Sequence, residues 1–458
     1  MSTELLKVAE RAKRDPQGQI LSLARLIDEA ALRRAFERIR KGAAVGVDGM
    51  SKEQYGKELE KNLENLHERL RTQRYRHQPI RRVHIPKEQG KTRPIGISTI
   101  EDKLVQDALR EVLETLYEPV FLDNSYGFRP RRSAHDALRA LNQTLYRREV
   151  SWVIEADIKS YFDSIDRTKL KEMLRMRVAD ESFMRLVGKC LHVGILDGTE
   201  YSEPDEGTVQ GSTLSPLLGN VYLHHVLDLW LEAEVRPRLR GRMRLIRYCD
   251  DFVIGFERED EARRVMAVLA KRFERFGLRL HPDKTRLFEC GRPRKSQRGG
   301  KGPATFDFLG FTVHWRWNHL GFWALGLKTR KARLRRAITS VDDWCRRHRH
   351  EPMKTQHAML SKKLNGHYNY FGVGGNSRSL ASLSHQVEQT WRKWLRRRSQ
   401  RTKLTWQRFE AFLTAFPLLL SLTQFQRGGF VIIRDRWMRI SRITSHGSAL
   451  ESGDGKRN

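Results

Sequence analysis

The stretch Leu245-Ile-Arg-Tyr-Cys-Asp-Asp-Phe-Val-Ile254 sets two adjacent acids between two apolar segments. Both segments have the composition of strands in a buried sheet, so the stretch predicts a hairpin with Asp250 and Asp251 at its tip. Aspartate is common in turns, and for an isolated pair of acids a plain turn would be the preferred interpretation. Here the flanking strands are apolar, and two charges placed beside them require a stabilising partner.

A third acid lies upstream of this hairpin. Ser151 to Ala156 is a short predicted strand that runs directly into Asp157. Carboxylates that lie close together repel one another, and a divalent cation relieves that repulsion. Mg²⁺ takes oxygen ligands and often shares them with substrate phosphates. Two such ions can activate a primer hydroxyl and stabilise a leaving pyrophosphate oxygen, so Asp157, Asp250 and Asp251 are the predicted metal-dependent site.

Both acidic motifs resemble boxes of known reverse transcriptases. Arg247-Tyr-Cys-Asp-Asp-Phe-Val-Ile254 is similar to their Tyr-x-Asp-Asp box. Ala156-Asp-Ile-Lys-Ser-Tyr-Phe-Asp163 is similar to the box that carries their first catalytic aspartate. Cys249 occupies the variable position, where alanine is commoner, and this departure leaves the acids untouched. The resemblance implies that Asp157, Asp250 and Asp251 are catalytic and bind Mg²⁺, with Ile158 joining them at the metal.

The same family has an aromatic residue and a glutamine box near its nucleotide pocket. Phe162 matches the aromatic, which packs under the sugar and excludes a ribose 2′-OH, although a core phenylalanine is the alternative. Gly207-Thr-Val-Gln-Gly-Ser-Thr-Leu-Ser-Pro216 resembles the Pro-Gln-Gly box, with Val209 in place of the proline. The match implies that Gln210 contacts the incoming nucleotide, while Gly211 lets the backbone approach it closely.

Basic residues of the same pocket are also implied. Lys91-Thr-Arg-Pro-Ile-Gly-Ile97 resembles the fingers strand of these enzymes. Arg93 is the first candidate for the triphosphate, because a guanidinium can contact phosphate oxygens in pairs, and Lys91 is the second. Lys284, after His281-Pro-Asp283, resembles a later basic residue near the active site and is also expected to bind the nucleotide.

Several other stretches are similar to reverse transcriptases encoded in bacterial group II introns. They are Gly46-Val-Asp-Gly49, Ser125-Tyr-Gly-Phe-Arg-Pro130 with Ser133-Ala-His135, Ser215-Pro-Leu-Leu-Gly-Asn-Val-Tyr-Leu223, Phe308-Leu-Gly-Phe311 and Asn365-Gly-His-Tyr-Asn-Tyr-Phe371. The resemblance implies an α+β fold with right-hand polymerase fingers and palm around an antiparallel sheet, followed by an all-helical thumb and maturase domain. It implies DNA synthesis on an RNA template, and binding of intron RNA to assist splicing and mobility.

The matches divide the chain into four predicted parts. Residues 1–75 extend the fingers with helices, 76–312 form the fingers and palm, 313–385 carry thumb and maturase helices, and 386–458 form a basic nucleic-acid-binding tail. Apolar alternation predicts a hairpin over Ile80 to Ile97, and helical spacing predicts a helix over Ile100 to Tyr117. Strands are not expected after residue 325. The paired cysteines of a nuclease domain are missing there, so an endonuclease is not expected.

The charge of the chain favours a nucleic-acid partner. The sequence has 458 residues, 87 Lys and Arg and 55 Asp and Glu, for a net charge of +32. Such an excess is explained by binding to phosphates, which releases their condensed counterions. Candidate contacts are Arg129, within Ser125 to Pro130, and Arg396 and Arg397 in a basic stretch near the C-terminus. Tryptophans flank that stretch, and stacking on bases and packing in the core are equally open interpretations of them.

Cysteine usage and hydropathy set the expected compartment and partners. The four cysteines form no CxxC pair, so neither a disulfide framework nor a cysteine-rich zinc site is predicted. A signal peptide and a membrane-spanning segment are not expected either, and the predicted location is a reduced cytoplasm. The expected partners are an intron RNA template, a DNA primer or target, and deoxynucleoside triphosphates.

Three other functions compete with this prediction. A related reverse transcriptase used in phage defence or repair would share the acids, and the maturase-like helices argue against it. A polymerase-dead RNA-binding splicing cofactor would not need Asp157, Asp250 and Asp251. An RNA-templated RNA polymerase is disfavoured by Phe162, which is expected to exclude the ribose hydroxyl.

Overall fold

The computed structural model describes most of the chain. The described residues are 3–86, 92–204, 206–208, 210–294, 296, 303–318, 320–399 and 404–418, with the backbone of two short strands at 430–433 and 436–439. The chain divides into two compact units, Met1–Gly291 and Arg292–Asn458. None of the helices in these ranges combines the length and the apolar composition that a membrane span requires.

The first unit begins with helices and then alternates helices with strands. Its helices are α1 (Thr3–Arg14), α2 (Glu29–Arg38), α3 (Lys52–Tyr55), α4 (Leu59–Arg71), α5 (Ile100–Tyr117), α6 (Ala134–Tyr146), α7 (Arg167–Arg175), α8 (Glu181–Leu191), α9 (Ser215–Leu223) and α10 (Glu259–Glu274). Its strands are β1 (Ile80–Pro86), β2 (Thr92–Ile97), β3 (Trp152–Ala156), β4 (Ile195–Asp197), β5 (Glu200–Ser202), β6 (Met243–Tyr248), β7 (Asp251–Phe256) and β8 (Arg286–Glu289).

Side-chain caps fix where several of these helices begin. The Thr99 side chain accepts a hydrogen bond from the backbone of Asp102 at the start of α5, and Ser133 forms a capping box with Asp136 at the start of α6. Asp166 caps α7 through the backbone amides of Thr168 and Lys169. Each cap satisfies amides that have no partner within the helix.

Two four-stranded sheets lie in the first unit. The first has the order β2-β1-β4-β5, and β1 and β2 form the antiparallel hairpin predicted for Ile80 to Ile97. The second has the order β6-β7-β3-β8 with every neighbouring pair antiparallel. Its centre is apolar, with the paired residues Ile154 and Ile254 completely buried. The helix α10 packs against this sheet and completes the core below the candidate site.

The second unit combines a three-stranded sheet with helices. Its strands are β9 (Phe306–Phe308), β10 (Phe311–Trp317) and β11 (Trp323–Thr329), in the order β11-β10-β9, and its tail has the pair β12 (Phe430–Ile433) and β13 (Arg436–Arg439). Its helices are α11 (Lys331–Arg347), α12 (Met353–Phe371), α13 (Ser377–Arg396) and α14 (Trp406–Ala415). Asn376 joins sheet to helices, because its amide contacts both Thr329 and the Phe371 carbonyl at 2.8 Å.

The predicted α+β class and the helical C-terminal region are confirmed, with one correction about strands. Strand β11 continues to Thr329, past the residue after which only helices were expected, and β12 and β13 are further strands in the tail. The predicted boundary at residue 312 falls within β10, which pairs with both β9 and β11. The four-part division of the chain stays a prediction. The turn between β9 and β10 is formed by Leu309 and Gly310 in left-handed conformations, with φ of 50° and 81°.

Candidate active site

The hairpin between β6 and β7 turns through Cys249 and Asp250. Tyr248 and Asp251 pair across the two strands, so the acids lie at the tip as predicted. Cys249 has a left-handed backbone with φ of 57°, which tight hairpin turns require. Its side chain is buried whereas Asp251 is exposed. The turn is therefore packed on its inner side and exposes the Asp251 carboxylate.

Asp157 lies at the same end of this sheet. Strand β3 is antiparallel to β7, and its last residue, Ala156, pairs with Phe252. The next residue along β3 therefore continues beside Asp251. The Asp157 carbonyl accepts a hydrogen bond of 2.8 Å from the His281 amide, which fixes the chain just after the strand. Sheet topology thus brings together two motifs that are distant in the sequence.

The charges at this end of the sheet influence one another. Burial raises the pKa of the Asp250 carboxyl, and repulsion by Asp157 raises that pKa further. The Arg93 guanidinium acts in the opposite direction and lowers the pKa of Asp250. A carboxyl whose ionisation is opposed by burial and by a neighbouring carboxylate is a feature of sites that hold cations or exchange protons.

Lys284 is the cationic neighbour of Asp157. Its Nζ lies 2.6 Å from Asp157 Oδ2, and it belongs to the short helical turn Pro282–Lys284. The two side chains are 55% and 26% exposed, so the pair contributes about 1 kcal/mol or less to stability. Lys284 therefore lies near the acids, as the sequence predicts. Its part in nucleotide binding stays a prediction.

The donors at the site suit a hard cation with an open coordination shell. In the described ranges, no group of three or more His, Cys, Asp or Glu side chains is arranged to hold a metal ion. Asp157 is close enough to Asp250 to raise the pKa of the Asp250 carboxyl, and carboxylate oxygens are the ligands that Mg²⁺ prefers. Ile158 can contribute only its backbone carbonyl oxygen to a metal. Ile158 forms a β-bridge with Leu280, and neither of the two backbone hydrogen bonds on either side of this bridge uses the Ile158 oxygen. The residues present fit Mg²⁺ if water or phosphate supplies other ligands.

Phe162 lies between the core and the surface. It belongs to the short helical turn Tyr161–Ser164, is half-buried, and its ring centroid lies 5.2 Å from that of Tyr161. A Cβ added at Gly219 would lie 3.3 Å from its ring, so α9 supports it closely. This placement is compatible with both the sugar gate and the core residue considered above.

The predicted glutamine loop lies against the first sheet. The Gln210 carbonyl accepts a 2.7 Å hydrogen bond from the Gly96 amide. Gly211 has φ of 113°, and a Cβ there would lie 2.5 Å from the Gly96 carbonyl oxygen, so a glycine is required. The loop therefore adjoins β2, the strand that carries Arg93. Val209, at the position of the missing proline, and Lys91 lie outside the described residues.

The placement of Arg129 does not support the predicted nucleic-acid contact. Its side chain is 3% exposed and makes a two-pronged contact with the Glu118 carboxylate at 2.9 and 3.0 Å. The same guanidinium donates to the carbonyls of Leu122 and Ser125. Burial and internal partners leave its donors occupied within the protein. Arg129 shapes the loop around it instead of facing a phosphate.

Arg396 and Arg397 are exposed to solvent, unlike Arg129. They are exposed at the end of α13 and line a groove of about 820 Å³. The other lining residues are Gln389, Arg392, Lys393, Arg398 and Ser399. The Arg397 guanidinium lies 5.2 Å from the Trp394 ring centroid, within range of a cation–π contact. Their binding to nucleic acid stays a prediction.

The tryptophans beside this groove are of two kinds. Trp391 is completely buried, packs 5.0 Å from Phe412 and donates a 2.9 Å hydrogen bond to Gln356. Trp394 and Trp406 are half-buried and lie under Arg397 and Arg392. The core interpretation is therefore right for Trp391, while the other two rings lie half-buried beneath arginine side chains.

Sequence reasoning missed a buried polar network behind the Cys249–Asp250 turn. Its members are Asn220, Asp228 and Arg247, all completely buried. The sequence signal was present, since Arg247 is a charge within the apolar stretch that begins at Leu245. Alternation alone could not show that its side chain points inward to a carboxylate. The prediction also missed Phe128, whose exposed ring lies 6.2 Å from that of Tyr248.

Comparison with known proteins agrees with this geometry. The family described as reverse transcriptase (RNA-dependent DNA polymerase) matches residues 85–313. The family described as group II intron, maturase-specific domain, matches residues 333–412. The first match contains both strand ends that carry the acids, and the second contains the groove at the end of α13.

Individual relatives cover different parts of the chain. Protein YkfC of Escherichia coli (strain K12) is 34% identical over 318 residues, which are 61% of this chain and 83% of YkfC. The group II intron-encoded protein LtrA of Lactococcus lactis subsp. cremoris is 39% identical over 178 residues, 39% of this chain and 29% of LtrA. An uncharacterized 91 kDa protein in the cob intron of Schizosaccharomyces pombe is 42% identical over 170 residues, 37% of this chain and 21% of that protein.

The matches to LtrA and to the Schizosaccharomyces pombe protein thus span less than a third of those proteins. YkfC is covered over most of its length, and the two family matches lie in the order expected from the motifs. The chain belongs to the reverse transcriptase family, among its members that carry a group II intron maturase-specific domain.

Proposed function

We propose that this protein is an RNA-directed DNA polymerase whose catalytic centre consists of Asp157, Asp250 and Asp251. The observation that carries the proposal is the meeting of Asp157 and Asp250 at one end of the second sheet, where their charges oppose each other. Bound Mg²⁺ would supply activation of the primer hydroxyl and charge stabilisation on the leaving pyrophosphate. The carboxylates, with the Ile158 carbonyl, would hold it in place.

The residues around the acids would bind and select the nucleotide. Arg93 lies near enough to Asp250 to affect its ionisation, and its guanidinium would contact the triphosphate in pairs of hydrogen bonds. Lys284 and Lys91 would add positive charge. Gln210 would contact the nucleotide from the loop that adjoins β2, and Phe162 would exclude a ribose 2′-OH by contact under the sugar.

The second unit would bind the RNA. Its basic groove at the end of α13 presents Arg396 and Arg397 beside aromatic rings. Structured RNA is recognised mainly by its shape and its phosphates, and such a groove suits that mode of binding. We propose that the partner is the RNA of a group II intron, that the protein assists its splicing and mobility, and that the RNA performs the splicing chemistry.

Primer extension with the purified protein tests the polymerase proposal. A DNA primer annealed to an RNA template would be supplied with deoxynucleoside triphosphates and Mg²⁺. The parent is expected to extend the primer, and Asp157→Asn is expected to abolish extension because a metal ligand is lost. Asp283→Asn is the matched control, since that acid adjoins Lys284 in the chain but its side chain is 87% exposed.

The outcome separates the competing functions. A parent that binds RNA but adds no nucleotide would be a polymerase-dead RNA-binding cofactor, and the proposal would be wrong. Efficient extension with ribonucleoside triphosphates would identify an RNA polymerase instead. An equal loss of primer extension in Asp283→Asn would show that the effect of Asp157→Asn is not specific to the acids at the end of the second sheet.

A further inference from the structure

The Arg247 guanidinium connects the Cys249–Asp250 turn to a helix behind it. Its Nε and Nη2 donate to the two carboxylate oxygens of Asp228 at 2.8 and 2.5 Å. Its Nη1 donates to Asn220 Oδ1 at 2.9 Å and to the Cys249 carbonyl at 3.1 Å. The last bond holds the peptide plane between Cys249 and Asp250. The orientation of that plane sets where the Asp250 side chain points.

A buried ion pair at this place is costly unless it has a task. Burial disfavours both charges, but their mutual attraction prevails, so the pKa of Arg247 is raised and the pKa of Asp228 is lowered. Both groups therefore stay charged inside the protein. Apolar residues of similar volume would often give equal or greater stability than such a pair. An apolar replacement would lose the planar guanidinium of Arg247, whose donors hold several acceptors in fixed positions.

Asn220 extends the network to a second loop. Its Nδ2 donates to the Gly127 carbonyl at 2.6 Å while its Oδ1 accepts from Arg247. Gly127 touches the turn directly, because a Cβ there would lie 2.5 Å from the Cys249 amide nitrogen. The next residue, Phe128, has a left-handed φ of 54° and an exposed ring beside Tyr248. One buried amide thus joins the turn to the loop that covers it.

The backbone is irregular where Asp228 enters the network. After α9 the chain continues as a π-helical segment, His224–Asp228. Such segments are rare and occur frequently at functional sites. A π-turn changes the angular position of the residues that follow, and here it accompanies an Asp228 carboxylate that points inward to Arg247. The helix, the turn and the loop are therefore held by the same three side chains.

We propose that Asn220, Asp228 and Arg247 are positioning residues for DNA synthesis, which fix the Asp250 carboxylate relative to Asp157 and to the Phe128 loop. The proposal rests on the proposed polymerase function. Asp250 would hold the cation, and the network would hold Asp250. A displacement of about 1 Å at a reacting centre can lower a rate by about 100-fold, so even a small shift of the turn is measurable.

Asn220→Ala tests this role with the least risk to folding. It removes the bridge to Gly127 and one acceptor of Arg247, while the ion pair with Asp228 remains. We expect kcat for nucleotide addition on an RNA template to fall about tenfold or more, with KM for the nucleotide changed by less than about twofold. The Mg²⁺ concentration for half-maximal rate should rise, because one carboxylate is no longer held in place. Arg247→Lys should show the same signature, since one ammonium cannot reach all the acceptors.

Tyr222→Phe is the matched control on the same helix. It removes one hydrogen bond from the Tyr222 hydroxyl to the Phe276 carbonyl, away from the turn. Rates are to be expressed per folded active site, with thermal unfolding followed in parallel. The inference is overturned if kcat and the Mg²⁺ midpoint of Asn220→Ala match those of Tyr222→Phe, or if its loss of rate equals its loss of folded protein. A parent without activity would instead refute the proposed function.

Discussion

Arginines serve opposite purposes in the two units of this protein. In the first unit Arg247 is completely buried, with every described contact made to the protein's own oxygens. In the second unit Arg396 and Arg397 are exposed along a groove. Arginine therefore fixes the conformation of a turn in the first unit and presents a solvent-exposed positive charge in the second. A basic residue therefore indicates a nucleic-acid contact only when its side chain is exposed in the folded protein.

The largest expected effect separates synthesis from RNA binding. Asp250→Asn should lower the rate of primer extension by about 1000-fold or more, because several kcal/mol of metal-dependent stabilisation are lost. Its affinity for intron RNA should equal that of the parent, since the exposed arginines are untouched. Extension and RNA affinity are to be measured on the same preparation. A parallel loss of both would mean that the two units do not carry separate functions.

The second effect tests which aromatic residues beside the groove belong to the core. Trp391→Ala should lower the free energy of unfolding by about 3–5 kcal/mol, because it leaves a cavity beside Phe412 and removes a hydrogen bond to Gln356. Trp394→Ala, at the half-buried rim, is the matched variant and should destabilise less. Chemical denaturation of the full-length protein measures both. Equal destabilisation would remove the distinction between core and rim.

The third effect tests the exposed charge. A variant with Arg396, Arg397 and Arg398 changed to Glu should bind intron RNA about tenfold to 100-fold more weakly at low salt, with a shallower dependence on salt concentration. Extension of a short pre-annealed primer should largely survive. The comparison variant reverses Arg11, Lys13 and Arg14, which are exposed in α1. If only that variant loses affinity, the N-terminal helices bind the RNA and the groove is a solvated surface.

The fourth effect concerns selection of the sugar. Phe162→Val should reduce discrimination against ribonucleotides by about tenfold to 100-fold, because the ring that would contact the 2′ position becomes smaller. Competition between deoxynucleotides and ribonucleotides in single additions measures the ratio. Unchanged discrimination would assign Phe162 to the core below Tyr161, where its ring already packs.

Local pattern predicted the parts of the fold that depend on near neighbours in the sequence. The hairpin around Asp250 and the helix Ile100–Tyr117 are both present as predicted. The first depends on strand alternation and the second on helical periodicity. The end of β3 at Asp157 was predicted for the same reason.

Contacts between distant segments could not be predicted in the same way. Arg129 was assigned to nucleic acid because its charge was visible, whereas its partner Glu118 and the carbonyls of Leu122 and Ser125 surround it only in the folded loop. Strand β11 was missed because its pairing with β10 decides its structure. The contacts of long polar side chains and the formation of short strands thus depend on tertiary partners, which sequence periodicity does not reveal.

Single-nucleotide addition across a Mg²⁺ series tests most directly whether the end of the second sheet is the site of DNA synthesis. The parent, Asp250→Asn and Asp283→Asn would each receive a DNA primer on an RNA template and one complementary deoxynucleotide. We predict saturable, Mg²⁺-dependent addition by the parent and by Asp283→Asn, and none by Asp250→Asn at any Mg²⁺ concentration. Addition by Asp250→Asn at the parent rate, or a parent that never adds a nucleotide, would contradict the account.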